Sequence, residues 1–153
     1  MAQRFPRRVG RRLRRSGWFP GRQVDIAPWR GAVAGVEMHP AAVAFLAEFG
    51  GLTVGVRGLG WGRTAMQEPF ELDPTLCVGE DDRFVEWGEF LGRPLFPLGE
   101  LDHGRFLLGM AEDGAIYLVS DWLGLIEDGP ADAALTALCQ GTMARELRAG
   151  RRA

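Results

Sequence analysis

DPTLCVGEDDRFVEWGEFLGRPLFPLGELDHGRFLLGMAEDGAIYLVSDW, residues 73–122, is the stretch whose reading decides the fold. Phe84, Trp87 and Leu91 recur at helical spacing, widened by Val85 and Phe90, and predict a helix over 80–91. Asp82, Glu86 and Glu89 recur on the opposite side of that helix, and Glu80 with Asp81 suits its positive N-terminal end. Apolar runs at 94–98, 105–111 and 115–120 then read as strands. The last two flank Asp113-Gly114, a hairpin signal. Phe106, Leu107, Leu108, Ile116, Leu118 and Val119 are apolar at successive positions, so these strands carry apolar groups on both faces. Such strands are central and are covered by helices on at least one side.

Working outward, Phe5, Val9 and Leu13 recur every four residues, with Pro6 where a first helical position tolerates it, and predict a short helix over 6–15. Its remainder is arginine-rich. It reads either as a solvated helix with one packed stripe, as a contact for a polyanion, or as a frayed end. Asp25 is a candidate N-cap for a helix through 36, with Ile26, Trp29, Val33 and Val36 on one face. A further helix starts at Pro40, faces the core with Ala42, Phe45, Leu46 and Phe49, and stops at Gly50-Gly51. Leu52–Val56 and Phe70–Leu72 read as short strands, with a glycine-rich loop over 57–67 between them. A last helix over 132–140 packs Leu135, Leu138 and Cys139, and the pattern allows it to continue through Met143 and Leu147. Helices come first and the longest strand series comes late. That order favours an α+β fold, a single domain with a twisted, mainly antiparallel sheet and helices packed around it. The expected organisation is a basic N-terminal helix or arm (1–15), the domain proper (16–141) and a basic C-terminal tail (142–153).

A chain of 153 residues, 46% apolar, can bury one sizeable core. No apolar run approaches the length of a membrane span, and no apolar segment follows the basic start as in a secretory signal. The expected location is therefore cytoplasmic. Cys77 and Cys139 lie far apart and make no disulfide framework; buried free thiols are the simpler reading. The net charge of -2 hides an asymmetry. Residues 1–15 hold seven arginines and no acid, 16–144 seven arginines against nineteen acids, and 145–153 four arginines against one. The absence of lysine, with abundant Ala, Gly and Arg, reads as the coding bias of a GC-rich bacterial gene.

No catalytic constellation stands out. His39 and His103 are the two histidines, and no CxxC, HxH or HExxH spacing exists, so neither a metal nor another cofactor is expected. Gly58-Leu59-Gly60-Trp61-Gly62 lacks the lysine of a phosphate-binding loop. A Cys77/His103/Asp121 triad can be drawn on paper, without a nucleophile elbow to support it. The acidic clusters are either solvated faces or a docking surface for a basic protein. Trp18, Trp29, Trp87 and Trp122 sit in apolar patterns and read as core; Trp61 has no periodic support and is the candidate exposed anchor.

Several segments also carry a family resemblance. They are Gly17-Trp18-Phe19-Pro20-Gly21-Arg22, the helix ending in Phe49-Gly50-Gly51-Leu52, and Phe70-x-Leu72-Asp73-Pro74. Gly79-Glu80-x-x-Arg83-Phe84-x-x-Trp87-Gly88, Pro97-Leu98-Gly99-Glu100 and Ile116-Tyr117-Leu118-Val119-x-Asp121-Trp122 follow in order. Together they resemble the SUKH superfamily, and specifically its third family, over residues 5 to 141. The resemblance implies an immunity protein that binds a cognate bacterial toxin, often a nuclease or another nucleic-acid-modifying enzyme, and neutralises it by stoichiometric occlusion rather than catalysis. A basic toxin suits the acidic body, which could steer association onto it. Asp82, Glu86, Glu89 and Trp61 are the expected partner-binding residues. Neither a membrane nor a nucleic acid is an expected partner. An interaction module without a toxin partner and a small enzyme are the alternatives.

Overall fold

The computed structural model describes residues 4–55, 69–127, 130–141 and 144–148. Four helices lie among the described residues: α1 (Arg7–Arg15), α2 (Pro40–Phe49), α3 (Asp81–Leu91) and α4 (Ala131–Gln140). The strands are β1 (Thr53–Val54), β2 (Phe70–Glu71), β3 (Phe96–Leu101), β4 (Phe106–Met110), β5 (Ile116–Val119), β6 (Leu123–Glu127) and β7 (Arg145–Arg148). They form one sheet in chain order, each antiparallel to the next. This is the α+β single domain the sequence predicts. No helix among the described residues is long and apolar enough to cross a membrane.

The centre of the sheet follows from the doubly apolar strands. Register pairs Leu107 with Val119 and Gly109 with Tyr117 on one face of β4–β5. Leu108 with Leu118 and Met110 with Ile116 occupy the other, and all of these apolar side chains are buried. α3 covers the Gly109 face: a Cβ at Gly109 would meet the Phe84 ring at 3.1 Å and Leu95 at 2.9 Å. Trp87, 6% exposed, drops from the same helix and donates its indole N–H to the Ser120 carbonyl at 3.0 Å. Trp122 departs from its expected core position. It is half-buried, edge-on to Phe106 with ring centroids 6.1 Å apart, because the β5–β6 turn carries it to the rim of the sheet.

β3 begins two residues later than expected and runs through Pro97 and Gly99. Proline cannot donate to a ladder, and the register shift between Pro97 and Gly99 absorbs it. Gly99 has φ +150°, a conformation reserved for glycine. β6 occupies 123–127, a stretch to which sequence reading assigns no element. The expected continuation of the last helix is overturned. Gly141 takes the left-handed conformation (φ +77°) and ends α4, and Arg145–Arg148 pairs with β6 as an edge strand. The expected helix over 25–36 is also absent, leaving a single 3-10 turn at Ala27–Trp29. Asp25 accepts the Ala27 amide at 3.0 Å in a local turn, and Gly35 at φ +85° breaks any later helical run. Val33 and Val36 are nonetheless buried and Trp29 is half-buried.

α1 is tied into the core more firmly than a solvated helix. Phe5, Val9 and Leu13 join the same buried cluster as the sheet. Arg12 is 4% exposed, which no stripe reading anticipates. Its guanidinium donates to the Gly55 carbonyl at 3.2 and 2.8 Å and to the Cys139 carbonyl at 2.6 Å. The second acceptor is an end carbonyl of α4, where a cation also suits the helix dipole. Burial lowers the Arg12 pKa, yet an arginine remains charged. Arg4 forks between Asp132 on α4 (2.7 Å) and Glu48 on α2 (2.6 Å), and these bonds raise its pKa. Partial burial pulls the Glu48 carboxyl upward. The bonds from Arg4 and from the Trp18 indole outweigh that and hold it below the usual range.

Arg12→Met keeps the aliphatic stem but strands the buried Cys139 carbonyl and gives up the bonds to Gly55, so a loss of about 1–3 kcal/mol is expected in chemical denaturation. Arg12→Lys should recover only part of it, because one ammonium cannot reproduce the fork. Arg11→Met, on the exposed side of α1, should stay within about 0.5 kcal/mol of the parent. Equal stability of the Arg11 and Arg12 variants would refute the clamp.

Candidate functional site

Among the described residues, the exposed side of α3 is the most concentrated negative charge on a regular element. The helix buries Phe84, Trp87 and Gly88 and leaves Asp82, Glu86 and Glu89 exposed, as their spacing predicts. Its start is fixed from outside. Asp81 accepts the Ala34 amide at 3.1 Å, so the 30–36 segment is strapped to the first turn. Arg83 reaches Glu80 at 3.5 Å and Asp121 at 3.3 Å, joining the helix to the β5–β6 turn. Such exposed pairs contribute little to stability, but they set where the cationic group lies. Phe90 stands 44% exposed beside these acids and packs edge-on to Trp87 at 5.9 Å. α3 therefore offers three outward carboxylates and one apolar ring on a rigid support.

A cleft of about 720 Å³ opens beside the C-terminal half of α3. Three segments far apart in sequence make its walls: 35–40, the helix with the loop that follows it, and Glu112 on the β4–β5 hairpin. Val36, Met38, Phe84, Val85 and Leu95 give it an apolar lining. Glu37, Glu89 and Glu112, all exposed, supply carboxylates. Arg93 also lines it, and its guanidinium is bonded to Asp113 at 2.7 Å. Sequence reading finds Glu89 but misses the cleft, since Glu37 and Glu112 carry no periodic signal.

His39 lines the cleft as a structural group. Its Nδ1 accepts the Ala42 amide at 3.2 Å as the N-cap of α2, and Nε2 lies 2.9 Å from the Met110 carbonyl. That pairing fixes the tautomer with the proton on Nε2. Cys77 is buried, its thiol donates to the Gly99 carbonyl at 3.4 Å, and burial pushes its pKa up to about 12. A thiol so protonated is no nucleophile at neutral pH. His103 is exposed in the β3–β4 turn, and Asp121 pairs with Arg83, so the triad drawn from the sequence lacks its first member. Cys139 is likewise buried, with its pKa raised to about 12 by burial. Among the described residues no three metal-binding side chains converge. Trp61, the proposed anchor, lies outside the described residues.

Residues 5–141 match the family model described as SUKH-3 immunity protein. No curated protein matches the chain, and no solved structure does.

Proposed function

Because this chain belongs to the SUKH-3 immunity protein family, we propose that it binds a cognate bacterial toxin and neutralises it by stoichiometric occlusion, docking through α3. The observation that carries this reading is the exposure of Asp82, Glu86 and Glu89 on one face of a helix whose other face is locked into the core. A toxin that acts on nucleic acid must itself be basic to hold phosphate. An acidic helix offers it complementary charge, speeds encounter and competes for the surface that would hold the substrate. Phe90 supplies an apolar contact within the charged face. The family is non-enzymatic in general, and protection by binding needs no catalytic group.

The test pairs this chain with a toxic protein encoded beside its gene. Co-expression should restore growth of a host that the toxic protein kills, at near-equal stoichiometry. An Asp82/Glu86/Glu89→Arg triple variant should melt like the parent, since exposed charge changes move stability by about 0.5 kcal/mol each. It should associate with the toxin at least about tenfold more slowly, with the gap widening at low salt. Continued killing in the presence of folded, abundant immunity protein would sink the toxin reading. Unchanged affinity and salt dependence of the folded triple variant would remove α3 from the interface.

A further inference from the structure

The cleft beside α3 differs from the helix face in one respect: it is concave, and its acids stand over an apolar lining. We propose that this cleft is the anchoring pocket for an arginine side chain of the partner, an inference that rests on the reading that α3 docks a basic protein.

The chemistry of the lining selects the occupant. Val36, Met38 and Val85 can pack the methylene stem of a long cationic side chain, while Glu37, Glu89 and Glu112 receive its charged end. Those three carboxylates come from three separate elements and face one lining guanidinium, that of Arg93. Arg93 is held on Asp113 at 2.7 Å, outside the lining set, so its charge is already answered. α3 also ends here. Gly88, Glu89 and Gly92 line the cleft, and the carbonyl end of a helix favours a cation. The opposing field of the α2 N-terminus is reduced at its first turn, where Pro40 has no N–H and His39 takes the Ala42 amide.

Arginine fits better than lysine. Its guanidinium is planar, more weakly hydrated and able to bond two carboxylates at once, so it loses less on entering a partly apolar site. The volume of about 720 Å³ exceeds a single side chain and leaves room for apolar neighbours of the arginine.

The probe is the peptide acetyl-Leu-Arg-Leu-amide, titrated into the isotope-labelled full chain and followed by amide chemical shifts. Its citrulline counterpart has nearly the same shape and no charge. The arginine peptide should saturate in the millimolar range, with shifts centred on Glu37, Met38, Glu89, Arg93 and Glu112. The citrulline peptide should bind at least about tenfold more weakly. A Glu37→Gln/Glu112→Gln variant should lose the arginine preference, whereas Asp82→Asn/Glu86→Gln should keep it. Equal binding of the two peptides, no saturable binding, or shifts confined to the Asp82–Glu86 side would overturn the proposal. The peptide assay needs no toxin, so the two readings fail separately. Cleft binding without neutralisation in cells sinks occlusion alone, and neutralisation without cleft binding sinks this pocket alone.

Discussion

Gly99→Ala should cost at least about 4 kcal/mol and is expected to leave the chain largely unfolded at 37 °C, the extreme end of single-substitution effects. Two independent causes add. A Cβ at this position would fall onto the carbonyl oxygen of Glu71 and lie 2.8 Å from the Asp73 amide nitrogen. Both are backbone atoms of the neighbouring segment and cannot swing aside as a side chain could. The φ of +150° is also strained for any residue with a side chain. Relief requires β2 to separate from β3, and the displaced residues lead directly through the 3-10 turn at Pro74–Cys77 into α3. Thermal melting and near-ultraviolet circular dichroism give the readout. A folded Gly99→Ala variant with an unshifted melting point would show that the bulge is not required.

Trp87→Ala should cost about 3–5 kcal/mol, the range for deleting a buried aromatic side chain. The loss combines the cavity under α3 with an unpaired Ser120 carbonyl, which now accepts the indole N–H at 3.0 Å. Trp87→Phe separates the two, refilling much of the cavity while leaving the carbonyl unpaired, at about 1–2 kcal/mol. Trp122→Ala should cost less, about 1–2 kcal/mol, because the ring is half-buried and gives up less area. Urea denaturation of the three variants checks the order. A Trp122 variant as damaged as the Trp87 variant would mean that the rim contact with Phe106 matters more than its exposure indicates.

The parts of this fold that were legible from sequence are those whose signal is local. α3 declares itself through two opposed periodic faces, and the β4–β5 hairpin through doubly apolar runs around Asp113-Gly114. α1 shows its stripe at Phe5, Val9 and Leu13. What escaped is set by distant partners. Arg145–Arg148 has no apolar alternation and becomes a strand because β6 offers it an open edge. Arg12 looks like its exposed neighbours, and only the arrival of Gly55 and the end of α4 makes its burial tolerable. The segment at 25–36 has helical spacing, yet Pro28 and two glycines interrupt it and its apolar residues pack without a helix. The candidate site divides the same way. Asp82, Glu86 and Glu89 were readable as a face, whereas the cleft unites residues from position 35 to position 112 and leaves no trace in either neighbourhood.

The clamp between the first helix and the last also governs the order in which the molecule can be completed. β3 to β6 pair with their sequence neighbours across short turns, so the centre of the sheet can grow hairpin by hairpin as the chain leaves the ribosome. α1 is made before the sheet but is fully seated only after α4: Arg4, just ahead of α1, bonds Asp132, and Arg12 bonds the Cys139 carbonyl, each more than a hundred residues downstream. Until synthesis passes α4, Val9 and Leu13 lack part of their final surroundings, and Arg12 lacks one of its acceptors. A nascent chain halted before that point would display a greasy, cationic N-terminal helix to its surroundings. Ribosome-stalled intermediates of this protein should therefore be sought out by chaperones that recognise basic apolar segments, and ignored once the final helix has emerged.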